Sequence, residues 1–405
     1  RIIGGQNNDV YTIKNGNRLK IYDHKSKPNT VKEAGDAKFR FRDNYEINTY
    51  DKDKKIFTGG AIVPAFGFNP DDGFKIGLEM VTTKNAFKRN PFTTQHTFGG
   101  GYYFATNGFD LYYEGEFALI LGEYNLKVGA NYASPNFASN FFGYGNETPN
   151  FDETLDFDYN RVTISRFGVK AGFENQTPFG SMFRYMASFE GNQVDPTDGR
   201  FITEDFTTDD QEFFDRKYFA GLDALYRYES YDNSLNPSRG MKFELNLGGQ
   251  MNTAETSQVY GYFKPYWGFY NALTRNRKLV LKTRVQAHLN MGDDYEFYQA
   301  AQLGGNTGLR GYRLQRFTGK SAFATGADLR YGFDQFTTRF LPLQIGVFTG
   351  YDLGRVWNDF EDSSKWHDSY GVGFWVNSAE AVNGTFSLFK GSEGYRFSFG
   401  FGFEF

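Results

Sequence analysis

The chain has 405 residues, with 44 Lys+Arg against 48 Asp+Glu, a formal charge of −4, and no cysteine. A balance this near neutral excludes a dedicated nucleic-acid binder, which needs a basic field. The missing cysteines exclude a disulfide framework, a thiolate zinc site and a cysteine nucleophile. No apolar run approaches the roughly 18 residues of a membrane-crossing helix. Yet 46 Phe, 28 Tyr and 47 Gly stand beside only 11 Pro, a mixture suited to strands that turn aromatic faces to lipid.

Residues 1–56 differ from the rest. They hold 13 Lys+Arg and 8 Asp+Glu, a local +5, which leaves 31 against 40, or −9, for residues 57–405. The segment reads as short polar strands and turns, Val10-Tyr11-Thr12-Ile13 and then Arg18-Leu19-Lys20-Ile21-Tyr22, followed by a charged linker to about Lys55. Two parts are therefore expected: a lead-in over 1–56 and a barrel over 57–405.

From Thr58 onward the apolar pattern has period two. In the last segment Tyr395, Phe397, Phe399, Phe401, Phe403 and Phe405 share one face, opposite Arg396, Ser398, Gly400, Gly402 and Glu404. Between Lys278 and Asn290, Leu279, Leu281, Val285, Ala287 and Leu289 alternate with Lys282, Arg284, Gln286, His288 and Asn290. One face suits lipid and the other a wet lumen. Sixteen such segments begin near Phe57, Gly73, His96, Phe109, Glu123, Asn160, Gly180, Arg216, Arg239, Val259, Lys278, Ala322, Leu343, Asp368, Val382 and Tyr395. The fold expected is all-β, a sixteen-stranded antiparallel transmembrane barrel. The longest connections, 134–159, 192–215 and 291–321, are all odd-numbered, matching barrels with long external loops and short periplasmic turns. Two features fit less well: a twelve-residue second connection from Lys84 to Gln95, and a phase switch inside Arg161–Phe173 that predicts a bulge.

Within the eleventh connection lies Leu303-Gly304-Gly305-Asn306-Thr307-Gly308-Leu309-Arg310-Gly311-Tyr312. Gly326-Ala327-Asp328-Leu329-Arg330 follows, then Phe348-Thr349-Gly350-Tyr351-Asp352-Leu353-Gly354-Arg355-Val356-Trp357. Upstream, Asn236-Pro237-Ser238-Arg239-Gly240 opens a strand. In this order these stretches resemble the outer-membrane assembly and secretion barrels, namely BamA, TamA and the two-partner-secretion translocases. Leu309-Arg310-Gly311-Tyr312 is similar to the tetrapeptide of their sixth extracellular loop, which folds back into the barrel. The third stretch resembles their F-x-D-x-G-x-V-W strand with one extra residue between Phe348 and Asp352. The resemblance is carried by residues 235–405 and is architectural over 57–234.

Alternation places both acids without the resemblance. Phe323, Thr325, Ala327, Leu329 and Tyr331 take the outward face, leaving Asp328 inward; Ile345, Val347 and Tyr351 leave Asp352 inward. The resemblance implies a loop that brings Arg310 to them, where a planar guanidinium bridges two carboxylates; the plainer alternative is a solvated external arginine. Phe401, Phe403 and Phe405 are similar to the C-terminal insertion signal of outer-membrane barrels. In the first strand Pro64 donates no ladder bond, with Gly59 and Gly60 before it, and Gly400 and Gly402 weaken the strand opposite. A weak first–last seam that opens sideways is expected, the alternative being close packing and a bulge.

Other motifs lead less far. Gly4-Gly5-Gln6-Asn7-Asn8-Asp9 resembles a single calcium nonapeptide with Asp9 as ligand, but such sites need stacked repeats; otherwise it is a turn. The loop Asp195–Asp215 carries eight acids, read as solvated or as holding cations near lipopolysaccharide. No nucleophile, base and orienter converge, so the chain reads as non-enzymatic and without a cofactor. Expected partners are outer-membrane lipids, lipopolysaccharide and client proteins, with the N-terminus periplasmic. The alternatives are a passive porin and a membrane anchor for an upstream metallophosphoesterase domain. The latter rests on Arg1–Asp9 and the lack of a POTRA signature, which resemble a Bacteroidota variant of the family.

Overall fold

The computed structural model describes residues 1–5, 7–43, 58–69, 73–86, 89–136, 138–206, 211–233, 236–339, 342–378 and 382–403. Its regular structure is almost all strand. Sixteen strands close a barrel: β1 Thr58–Asn69, β2 Gly73–Ala86, β3 Arg89–Tyr103, β4 Gly108–Leu121, β5 Tyr124–Ala133, β6 Arg161–Gln176, β7 Ser181–Val194 and β8 Lys217–Glu229 make its first half. β9 Gly240–Asn252, β10 Val259–Ala272, β11 Leu279–Met291, β12 Ser321–Gly332, β13 Pro342–Trp357, β14 His367–Ser378, β15 Val382–Gly391 and β16 Gly394–Phe403 make its second. Consecutive strands are neighbours, and closure between first and last leaves no free edge. Among the described residues no helix is long and apolar enough to cross a membrane.

The chain divides into two compact units. One comprises Arg1–Ala61, Val81–Thr97 and Gly115–Leu126. In it the N-terminal strands do not form hairpins. Ile2–Ile3, Lys20–Asp23 and Lys38–Phe41 make one parallel sheet, and Val10–Thr12 with Thr30–Glu33 another. Successive strands alternate between the two sheets. Ile21, Tyr22 and Asp23 are buried within it, and the Tyr11 hydroxyl donates to Asp23 Oδ2 at 2.6 Å.

The other unit comprises Ile62–Met80, Phe98–Glu114 and Lys127–Phe405. Its strands alternate as the sequence predicts: Phe74, Ile76, Leu78 and Met80 are exposed, as are Leu329, Tyr331, Val347, Tyr351, Tyr370, Val372 and Phe374. Asp328 and Asp352, on the other parity, are buried.

Two expectations change. β6 keeps one unbroken register with β7, from Ile164↔Val194 to Gln176↔Met182, so the expected bulge is absent from that pairing. Its even positions face inward throughout. At the end where the long connections fold, these are Val162 and Ile164, packed with Phe141, Val194, Ile202 and Phe297. An apolar lumen face imitates a phase switch. The second connection also shrinks, because β2 runs on to Ala86 and β3 starts at Arg89.

The odd-numbered connections 134–160, 195–216 and 292–320 fold together at one end. The second carries two short helical turns, Ile202–Phe206 and Gln211–Phe214. The third carries a hairpin, Ala301–Leu303 against Phe317–Gly319. If the exposed band faces lipid, Leu222→Arg on the outward face of β8 is expected to cost about 2–4 kcal/mol. Urea unfolding of the barrel in lipid vesicles measures it; an arginine at the inward Ser188 on β7 is expected to leave the midpoint nearly unchanged.

Candidate functional site

The hairpin of connection eleven is the base of an inward fold. Gly304 and Gly305 follow its first strand with φ of 132° and 56°, the left-handed region that favours glycine. They turn the chain so that Leu309 and Tyr312 enter an apolar cluster with Leu303, Phe317, Ala322, Ala324 and Val356. Gly311 passes against the wall: a Cβ there would stand 2.6 Å from Gly391 N and 2.7 Å from Ser369 Cβ. The Tyr312 hydroxyl lies 3.1 Å from Ser392 Oγ. Between these anchors Arg310 points at the wall.

Its guanidinium meets both predicted acids. Nε donates to Asp352 Oδ2 at 2.8 Å, and Nη2 to Asp352 Oδ1 at 2.7 Å and Asp328 Oδ1 at 2.6 Å. The Arg310 backbone N–H adds a bond to Asp352 Oδ2 at 3.1 Å. Asp352 is 0% and Asp328 4% exposed. A second cation, which the motifs did not single out, completes the set. Arg284 on β11 donates to Asp352 Oδ1 at 2.5 Å and stands 3.8 Å from Asp328 Oδ2. Two buried negative charges thus face two positive ones, and Ser369 Oγ satisfies Asp352 further at 3.2 Å. Burial alone would lower the Arg310 pKa; hydrogen bonding to Asp352 and the two carboxylate charges outweigh it and raise the value.

Register explains how the groups reach one another. Arg284, Gly326, Asp352 and Ser369 stand opposite one another on β11 to β14. A Cβ on Gly326 would lie 2.7 Å from Asp352 Oδ1 and 2.9 Å from Arg284 Nη2, so glycine opens the lane between acid and base. The next row runs Asp328, Gly350, Gly371, Phe389. Phe389 lies over the two glycines, and the Arg310 guanidinium stacks on its ring at 3.9 Å.

Two more loop arginines were missed in the sequence and extend the clamp. Arg313 donates to Asp152 Oδ1 and Phe157 O at 2.7 Å each and to Asn140 Oδ1 at 2.8 Å. Arg316 holds Glu393 Oε1 at 2.8 Å and Thr148 Oγ1 at 2.7 Å. Both are nearly inaccessible. Their spacing at every third residue from Arg310 was the available signal.

The remaining predicted residues fall as follows. Gly400 pairs with Gly67 and Phe399 with Phe68, the extent of the β16–β1 ladder among the described residues. β15 and β16, by contrast, pair from Val382↔Phe403 to Gly391↔Gly394. Gly59, Gly60 and Pro64 lie in β1, and Gly402 pairs with Asn383 rather than across the seam. Phe401 and Phe403 lie in β16 with side chains outside the described set, and Phe405 is outside it altogether. Asp9 accepts from Gly5 N at 3.0 Å. Among the described residues no group of three His, Asp or Glu is placed to hold a metal. His288 lines the lumen against Asn290 Oδ1 at 2.9 Å.

If this network locks the loop, Arg310→Ala leaves a buried negative charge unmatched. Stability is expected to fall by about 3–5 kcal/mol, and residues 292–320 to become open to protease. Arg310→Lys, which keeps the charge without the fork, is expected to recover part of both. Urea titration and limited proteolysis in detergent micelles measure the two effects.

No protein-family model and no curated protein matches the sequence. Solved structures do match the fold. BamA from Haemophilus ducreyi lacking POTRA domains 1–3 is similar with a TM-score of 0.60 at 14% identity, over 84% of this chain and 69% of that one. CdiB from Escherichia coli gives 0.57 at 10% identity over 88% and 64%, and CdiB from Acinetobacter baumannii 0.52 at 9% over 86% and 60%. The chain therefore spans just under two thirds of each CdiB chain. By fold, it is a sixteen-stranded antiparallel β-barrel similar to these structures.

Proposed function

We propose that the protein handles other proteins at an outer membrane, inserting, assembling or translocating them, with residues 1–56 as a periplasmic lead-in. The observation that carries this reading is the Arg310 clamp. Buried charges that pin a loop hairpin to the lumen wall suit a barrel that must stay sealed while its wall opens. The β16–β1 ladder, two residue pairs among the described residues, supports the same reading. Few ladder bonds at one seam make it the easiest place for the barrel to part, and a parted seam offers an edge on which a client strand can pair. On this reading lipids and lipopolysaccharide contact the outer face, client proteins contact the seam and lumen, and no covalent chemistry takes place.

Planar-bilayer recording separates this reading from a porin. A porin gives steady current that Arg310→Ala leaves unchanged; the clamped barrel is expected to pass little, and the variant to open erratically. The seam has its own test. Oxidising a Phe68→Cys, Phe399→Cys double variant is expected to abolish its acceleration of the insertion of a urea-unfolded outer-membrane barrel into proteoliposomes, and reduction to restore it. Insertion that persists in the oxidised protein removes the gate.

A further inference from the structure

A polar cavity of about 260 Å³ lies at the end of the lumen away from the arginine loop, where the connections after β8, β10 and β12 converge. Asn236, Arg277, Lys278, Arg330, Gln344 and Trp375 are among its lining residues. Two of its three cations are already matched: Lys278 lies 2.6 Å from Asp334 Oδ2 and Arg277 3.2 Å from Asp232 Oδ2. Arg330 is different. Among the described residues no carboxylate lies within 4.0 Å of it. Its guanidinium donates to Asn236 Oδ1 at 2.8 Å and stacks against Trp375 and Tyr270, 5.3 and 5.7 Å from the ring centres.

Trp375 adds an independent mark. Gly332, Gly346 and Trp375 stand opposite one another on β12, β13 and β14. The indole lies over Gly346 and reaches Gly332, where an added Cβ would sit 3.4 Å from its Cζ2. The residue is 4% exposed, and its buried Nε1 has no hydrogen-bond partner among the described residues. The guanidinium stacked on this indole is thus a strong donor with no carboxylate acceptor among the described residues. The amides of Asn236 and Gln344, joined at 3.2 Å, complete a polar rim.

We propose that this cavity binds a carboxylate: the Arg330 fork takes its two oxygens beside the Trp375 indole. One unmatched cation suits a monoanion, and a planar carboxylate suits the guanidinium fork better than a tetrahedral dianion does. The site stands on its own geometry and holds whether the barrel handles clients or conducts solutes.

The test uses the full chain in lipid nanodiscs with Trp267, Trp357 and Trp366 replaced by Phe, so that Trp375 alone reports. Titration with N-acetylglycine is expected to change its fluorescence saturably, while N-acetylglycinamide, lacking the charge, produces no saturable change. Arg330→Gln is expected to weaken the acid's binding at least tenfold, with unchanged heat-modifiable gel mobility showing that the barrel has folded; Arg330→Lys is expected to fall between. Equal responses to acid and amide, or undiminished binding by Arg330→Gln, overturn the site. Saturation by inorganic phosphate with none by the acid overturns the assignment to carboxylates.

Discussion

Two carboxylates buried side by side in a barrel wall dominate the lumen. Asp328 and Asp352 are both out of water, and a buried charge left unmatched is far more expensive than one paired and hydrogen-bonded. The wall supplies half of what they need, because Arg284 approaches Asp352 closely but stays 3.8 Å from Asp328. The other half comes from Arg310, on a loop that reaches the wall only if its hairpin folds inward. Loop position and wall electrostatics are therefore one equilibrium. Withdrawing the loop would expose Arg310 to water at little cost while leaving a net negative charge behind.

The same pocket shows why the chain is so rich in glycine. Alternation delivers side chains to the lumen at fixed spacing, and a guanidinium spanning two strands needs an unoccupied position between them. Gly326 and Gly350 provide it beside the two acids, and Gly371 makes room for Phe389 beneath Arg310. Glycine weakens a strand interior when nothing fills the space it leaves. Here aromatic rings and guanidinium groups fill that space, so the lumen wall is packed in cross-strand rows and not residue by residue.

Much of this was legible in sequence. Period two placed Asp328 and Asp352 inward, and the family resemblance of the loop motif implied an arginine near them. What could not be read was register. Nothing in the sequence says that Arg284 stands in the same row as Asp352, sixty-eight positions later, because a one-residue slip flips the face of every side chain. The partners of Arg313 and Arg316 were hidden for a related reason: Asp152 and Glu393 lie on other loops that meet only when the barrel closes. The false phase switch in β6 had another origin. The sequence pattern assumes that apolar means lipid, whereas Val162 and Ile164 face inward at the end where the long connections fold. The parallel pairing of the lead-in escaped notice because its partners, such as Ile2 and Ile21, are too far apart to leave a hairpin signal.

The distribution of these anchors has a mechanical consequence. Arg310 ties the loop to β12 and β13, Gly311 packs against Ser369 on β14 and Gly391 on β15, and Arg316 holds Glu393 in the turn into β16. Arg396, near the start of β16, shares Asp152 with Arg313. The wall from β12 to the first residues of β16 is thus stapled from inside, and the staple ends before Phe399 and Gly400 reach β1. Across that boundary runs a single row of phenylalanines, Phe374, Phe386, Phe399 and Phe68. Stacking between the first three, at 4.5 Å each, stiffens β14 to β16 from outside. The loop thus braces one arc of the wall from the lumen while the phenylalanine row braces the same arc from the outer surface, so loop and wall hold each other in place.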